Sequence, residues 1–191
     1  MDVQSSASGR VLLMTVIVFS VGELTHVRRV RRGSPHADVG AEVWFRLLFL
    51  TGVLMLPLAV SVAPSAAIPW GEVAVVVGVV LAWLGLLLRW WSVRTLGQYF
   101  SLVLKTSPDQ PVVDAGPYRI LRHPSYTGLL MTVLGCALMV GNWVGFLACS
   151  VVVVAALISR IRIEERALIE TLGENYLRFA TTRARLVPFV W

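Results

Sequence analysis

Tyr126–Val140 reads YTGLLMTVLGCALMV, Gly141-Asn142 follows, and Trp143–Ser159 reads WVGFLACSVVVVAALIS. Neither apolar block contains a charged residue. Gly and Asn tolerate left-handed backbone angles, so a tight turn fits between the blocks. A chain in hydrocarbon must satisfy its own backbone polar groups, which an α-helix does within one segment. The stretch therefore reads as a helical hairpin packed inside a bundle, with both arms somewhat short of the roughly 20 residues of a full span.

Three further apolar runs precede it: Val11–Val27, Val43–Val62 and Val73–Trp91. The whole chain has 191 residues, 57% hydrophobic and 15% charged, with a mean hydropathy of +0.74. Soluble domains carry about 25% charged residues, so lipid is the expected solvent. The fold expected is all-α, an integral membrane bundle of five transmembrane helices. It is a single membrane domain over 1–191, with a three-helix part at 1–91 and a site-bearing part at 92–191 that contains the hairpin 126–159. The first eight residues carry no basic n-region, only Arg10 precedes the first run, and the run has no clear small-residue cleavage site, so it reads as a retained span.

The net charge of +6 is distributed by loop. Arg28, Arg29, Arg31 and Arg32 follow the first run, and Arg94, Lys105, Arg119 and Arg122 lie between the third and fourth. Arg160, Arg162, Arg166, Arg178, Arg183 and Arg185 follow the fifth. Ser61–Glu72 and the Gly141 turn hold none. With five spans the basic segments share one side, which the positive-inside rule makes cytoplasmic, with the N-terminus outside. Membrane topology thus accounts for the basic charge without a nucleic-acid partner. Cys136 and Cys149 fall in apolar runs and give neither a disulfide framework nor a metal site. Trp70, Trp90, Trp91, Trp143 and Trp191 stand near run ends and read as interfacial anchors. Glu23 and His26, with Arg28 nearby, read as an interfacial cluster.

Two polar segments carry the chemistry. In Thr95–Ser125, Pro108, Pro111, Pro117 and Pro124 preclude one continuous helix, and Gly116-Pro117 marks a turn. Pro124 suits the first turn of the fourth helix. The amides of Ser125, Tyr126 and Thr127 are then expected to lack helical partners and to suit a ligand carboxylate. In the second segment, Leu157, Ile161, Leu168 and Leu172 recur at helical spacing, so a helix should emerge from the fifth span and stop at Gly173. Arg160 and Glu164 share a face, and Arg162, Glu165 and Arg166 supply further local pairs. Each feature alone has a plain reading: His123 as a helix-start histidine, Arg160 and Glu164 as a solvated ion pair, Tyr118 and Tyr126 as belt aromatics. No Walker loop, dinucleotide fingerprint or zinc spacing is present.

Taken together, Gly116-Pro117-Tyr118, Arg122-His123-Pro124-Ser125-Tyr126, Gly128, the hairpin, Glu164-Glu165, Leu168, Gly173, Tyr176 and Pro188 resemble the isoprenylcysteine carboxyl methyltransferase family and its bacterial relatives. The likeness covers about Gly97 onward. It implies a membrane enzyme that uses S-adenosylmethionine, releases S-adenosylhomocysteine and binds its donor in a cytoplasm-facing pocket closed by the C-terminal segments. By motif position, Tyr118, His123, Pro124, Ser125, Tyr126 and Glu164 are implied cofactor contacts. Gln110, Pro111, Val112 and Val113 stand where the family has a His-x-Leu-Val stretch that lines the donor, with Gln110 in place of the histidine. Arg160 resembles the family's substrate-side arginine and Arg122 a second charge near the reacting centre. Arg122, Arg160, Glu164 and Glu165 are thus the expected catalytic set.

The implied acceptor is lipophilic or prenylated and reaches the site from the membrane, and no metal is implied. A carboxylate acceptor is already ionised near neutral pH and needs no general base. The protein's work is then to hold donor and acceptor aligned and to orient the carboxylate through forked arginine hydrogen bonds. The compact form and Ala/Val/Arg-rich usage fit a bacterial cytoplasmic membrane. The competing readings are a phospholipid amine N-methyltransferase, an NADPH-dependent sterol or enone reductase, and a non-enzymatic scaffold or transporter. The last would place its ionisable groups within the spans.

Overall fold

The computed structural model of the protein describes residues 3–30, 39–99 and 112–188. Gln110 and Pro111, together with Arg31, Arg32, Lys105 and Trp191, lie outside the described residues. The elements are helical: α1 (Val3–Val30), α2 (Val39–Val62), α3 (Gly71–Leu96), α4 (Pro124–Val140), α5 (Trp143–Leu172) and α6 (Glu174–Thr181), with single 3-10 turns at Pro64–Ala66, Gly97–Tyr99 and Gly116–Arg119.

Each of the five apolar runs falls within one of the first five helices. Among the described residues, three helices are long and apolar enough to cross a bilayer: Glu42–Val62, Gly71–Leu96 and Trp143–Leu172. α4 is apolar but shorter, with 17 residues. The solvent is legible on the outer faces. Leu47, Leu50, Leu54 and Leu58 line one stripe of α2 and are all more than half exposed, which suits a lipid environment. The 30 residues of α5 reach about 45 Å at 1.5 Å per residue, well beyond a hydrocarbon core of about 30 Å. The surplus is the polar part from Arg160 onward.

The Gly141 turn forms as expected. Gly141 adopts φ 74° and ψ 28°, and the Asn142 side chain caps α5 by accepting from the Gly145 amide. Asn142 also donates from Nδ2 to the Ala63 carbonyl at 2.8 Å, and the Ile68 amide donates to the Gly141 carbonyl at 2.8 Å. The α2–α3 connection and the hairpin tip are thereby tied at one end of the bundle. The arms of the hairpin nonetheless choose different partners: α4 packs mainly on α3, and α5 mainly on α2.

Small residues set the α3–α4 approach. Gly78, Ala82 and Gly85 on α3 face Gly128, Thr132 and Gly135 on α4. A Cβ added at Gly85 would lie 2.6 Å from the Gly128 carbonyl oxygen, and one at Gly128 would lie 2.6 Å from that of Gly85. Such seams replace the hydrophobic drive that lipid cannot supply with close backbone packing. The Thr132 hydroxyl satisfies itself on the Gly128 carbonyl at 2.8 Å. Trp91 is 56% exposed, as an anchor should be. Trp90 instead packs inward over Gly22, where an added Cβ would meet its Nε1 at 2.9 Å.

Gly128→Ala should therefore lower stability by about 1–3 kcal/mol through overpacking against backbone, whereas Gly71→Ala, with nothing within 4 Å of the new methyl, should stay near the wild type. Thermal unfolding of the detergent-purified variants measures both.

Candidate active site

The polar ends of α3, α4 and α5 meet at the end of the bundle opposite the hairpin tip. α4 begins at Pro124, which is fully buried, after His123 at φ −125° and ψ 55°. The backbone before it runs beside the C-terminal segment: the Arg122 and His123 amides donate to the Ala184 and Arg185 carbonyls at 2.8 and 3.1 Å. The Thr127 hydroxyl donates to the Leu186 carbonyl at 2.7 Å. Arg183 reaches back from Nε to the Tyr118 carbonyl at 2.9 Å. Residues sixty positions apart are thus sewn into one turn.

Glu165 closes this arrangement. Its side chain is 9% exposed. Oε1 accepts from Arg122 Nη1 at 2.7 Å and lies 3.3 Å from His123 Nε2, while Oε2 accepts from Arg185 Nε at 2.9 Å. Local pairing along α5 was the expectation for Glu165; its partners come instead from the pre-α4 turn and the C-terminal segment. Arg162 and Arg166 point to the exposed side. Glu165 is therefore a counter-ion shared between two segments. Arg122 is similarly committed, with Nε donating to the Arg183 carbonyl at 3.0 Å.

A second cluster adjoins it. The Tyr126 hydroxyl donates to Glu164 Oε2 at 2.8 Å and accepts from Arg160 Nε at 3.2 Å. Arg160 and Glu164, expected to pair along the helix, both reach this hydroxyl. Arg160 is 2% exposed. Its Nη2 lies 3.2 Å from Glu42 Oε2 on α2, and its guanidinium sits 5.8 Å from the centre of the Phe45 ring. Tyr126 also stacks on His123, with ring centres 5.8 Å apart.

Beside these charges lies an apolar and aromatic nest of Tyr118, Tyr176 and Phe179, packed with Val112, Val113, Leu168 and Leu172. Burial pushes the Tyr118 and Tyr176 hydroxyls well above the usual phenol range, and the nearby Glu164 and Glu165 carboxylates add to this. Both stay neutral donors. The Tyr176 hydroxyl is buried without a hydrogen-bond partner among the described residues.

The expected free amides at the start of α4 are a different matter. Those of Tyr126 and Thr127 donate to the His123 carbonyl at 3.0 and 3.1 Å. A 3-10-like first turn satisfies them internally, so they are not a ready carboxylate site. Ser125 and His123 are themselves packed in, at 8% and 5% exposure.

A family model described as phospholipid methyltransferase matches residues 73–175. The chain belongs to the phospholipid methyltransferase family. It is 35% identical over 115 residues to protein-S-isoprenylcysteine O-methyltransferase A of Arabidopsis thaliana, covering 59% of this chain and 58% of that protein. It is 31% identical over 121 residues to protein-S-isoprenylcysteine O-methyltransferase of Saccharomyces cerevisiae, covering 62% and 51%. The chain thus spans only half to three-fifths of these relatives' lengths. The solved structure of a eukaryotic intramembrane Ras methyltransferase, isoprenylcysteine carboxyl methyltransferase, superposes with a TM-score of 0.57 at 24% identity, over 76% of this chain and 52% of that one. That likeness is one of fold.

This phospholipid methyltransferase family member holds three charged residues that motif reading passed over. Glu23, read as part of an interfacial cluster, forms a two-pronged ion pair with Arg89 at 2.6 and 2.8 Å. Arg89 stands inside the third apolar run, a position where a lone charge signals a partner. Glu42, in the first turn of α2, pairs locally with Arg46 Nε at 2.6 Å, while its second partner Arg160, at 3.2 Å, lies more than a hundred residues away.

Glu165→Gln removes the charge that the Arg122 and Arg185 guanidinium groups face. It should cost about 3 kcal/mol, the usual penalty for breaking a buried ion pair, and should loosen the 182–188 segment. Faster tryptic cleavage after Arg183 and Arg185 in the folded variant reports it.

Proposed function

We propose that this protein is a membrane methyltransferase that takes its methyl group from S-adenosylmethionine and passes it to a lipophilic acceptor at the inner leaflet. One observation carries the reading: the Arg122–Tyr126 turn and the Arg160–Glu165 helix, far apart in the chain, close on each other through Tyr126, Glu164 and Glu165. The basic residues concentrated at this end support a cytoplasmic orientation.

The donor's chemistry fits the residues present. Its adenine is flat and apolar, and its sulfonium and ammonium are cationic. The nest of Tyr118, Tyr176, Val112 and Val113 suits the ring. The Tyr176 hydroxyl, buried without a partner, can bond a polar edge. The Glu164 carboxylate, which accepts from the Tyr126 hydroxyl, suits a hydroxyl or ammonium group. When bound, S-adenosylmethionine supplies an electrophilic methyl on sulfur and leaves as S-adenosylhomocysteine. His123, Pro124 and Ser125 shape the floor of this half through their packing.

Arg160 is the acceptor-side cation. It is buried, adjoins Tyr126 and has its charge balanced by Glu42. A carboxylate acceptor would replace part of that balance and be oriented by the guanidinium fork. Arg122 acts through Glu165, and Glu165 through the turn it holds, so both are positioning residues. The acceptor reading is O-methylation of an isoprenylcysteine-like carboxylate, in line with the names of the curated relatives. The family description favours a second acceptor, a phospholipid amine, which would have to give up a proton before or during transfer.

The decisive experiment titrates detergent-purified protein with S-adenosylhomocysteine and with NADPH, then supplies labelled S-adenosylmethionine with a farnesylcysteine acceptor or with phosphatidylethanolamine. Micromolar binding of S-adenosylhomocysteine and label in the farnesylcysteine ester are expected; binding of NADPH alone would overturn the reading. Arg160→Lys keeps the charge opposite Glu42 but loses the fork, and should lower turnover about 100-fold with S-adenosylhomocysteine affinity retained.

A further inference from the structure

Arg89 is the charge that the chain explains least. It stands between Leu88 and Trp90 on α3 and is 4% exposed. All three nitrogens of its guanidinium are used. Nε and Nη2 donate to Glu23 Oε1 and Oε2 at 2.6 and 2.8 Å, and Nη1 donates to the Ser125 carbonyl at 3.1 Å. A two-pronged pair in poorly solvated surroundings is geometrically stiff, and its desolvation makes it a weak source of net stability. Fold stability alone is thus a poor reason for such a pair beside the first turn of α4.

The same short turn is gripped again from its other side. Arg160 reaches the Tyr126 hydroxyl, with Glu42 as its counter-ion. Two buried arginines therefore fix consecutive residues, one through the Ser125 backbone and one through the Tyr126 side chain. The counter-ions come from different helices, Glu23 from α1 and Glu42 from α2. Both lie outside residues 73–175, whereas both arginines lie inside. Ser125 faces the Tyr118 side of the turn and Tyr126 faces the Arg160 side.

We propose that Glu23 and Arg89 are positioning residues that set Ser125 and thereby the donor half of the site, independently of the acceptor half governed by Glu42 and Arg160. This rests on the methyltransferase reading above. Glu23 acts through Arg89, Arg89 through the Ser125 carbonyl, and neither is assigned contact with a substrate. Loss of the pair frees the α4 start to shift, and a displacement of about 1 Å near a reacting centre can cost on the order of 100-fold in rate.

The test uses the 191-residue chain in detergent with Glu23→Gln, Arg89→Gln, Arg89→Lys and, for contrast, Glu42→Gln. Affinity for S-adenosylhomocysteine is measured by calorimetry, and KM for S-adenosylmethionine and for the farnesylcysteine acceptor by methyl transfer. Glu23→Gln and Arg89→Gln should each weaken S-adenosylhomocysteine and raise the donor KM by about tenfold, with the acceptor KM moving by less than about two-fold. Arg89→Lys, which keeps the charge, should recover most of the affinity, and Glu42→Gln should give the opposite split. Unchanged S-adenosylhomocysteine affinity in folded Glu23→Gln would sink the inference and leave the methyltransferase reading standing. Parallel changes in donor and acceptor KM, or loss of folded protein in both Glu23→Gln and Arg89→Lys on gel filtration, would also overturn it, since the pair would then only support the bundle. A wild-type protein that binds no S-adenosylhomocysteine would remove the underlying reading itself.

Discussion

The Glu165 carboxylate is the interaction on which the polar end depends. An anion with 9% of its side chain exposed is tolerable only when its lost hydration is replaced by charged donors. Here both oxygens are engaged, one by Arg122 and the His123 ring and the other by Arg185. These partners come from the segment before α4 and from the chain end. One carboxylate therefore decides that three separate stretches share a place. The backbone bonds between 122–123 and 184–185 follow as a short ladder that is too small to persist alone.

Lipid as solvent explains why electrostatics carries this task. Helices in hydrocarbon gain little from burying apolar surface against one another, which is why α3 and α4 meet through glycines rather than large side chains. Where the bundle leaves the hydrocarbon, the constraint reverses. Charged groups become affordable if paired, and α5 runs through both regimes as a single helix. Its outer portion presents Leu147 and Val151, and its polar extension presents Arg160, Glu164 and Glu165 within two turns. A rigid rod anchored in the membrane is a precise mount for polar groups held just outside it.

How far the sequence disclosed this depends on the range of the interaction concerned. The hairpin, the continuation of α5 and the stop at Gly173 were all readable, because their causes are local: apolar runs, Gly141-Asn142 and helical spacing. The meeting of Arg122–Tyr126 with Arg160–Glu165 was readable only as a resemblance, since no local rule joins segments forty residues apart. The details of that meeting escaped. Glu165 has acceptable partners at helical spacing in Arg162, but a buried carboxylate takes cations that can follow it inside. The Tyr126 and Thr127 amides were expected to be free, yet one carbonyl, that of His123, absorbed both. Val112 and Val113 pack against the Tyr118, Tyr176 and Phe179 nest.

The family-matched stretch, 73–175, carries the motifs but not its own electrical balance. Among its described residues, Arg89 and Arg160 are the two most buried arginines, at 4% and 2% exposure. Each is answered by a glutamate from a helix that lies before the matched stretch. An unpaired guanidinium in this setting would draw in water or distort α4 until it found an oxygen. The first two helices are therefore more than a membrane anchor: through Glu23 and Glu42 they complete the charge pattern on which the shape of the Pro124–Thr127 turn depends. Any helix pair that offers a carboxylate at the right depth would meet the same requirement. A requirement this loose in sequence and this strict in space explains how an N-terminal part without a recognisable motif can serve a C-terminal half rich in them.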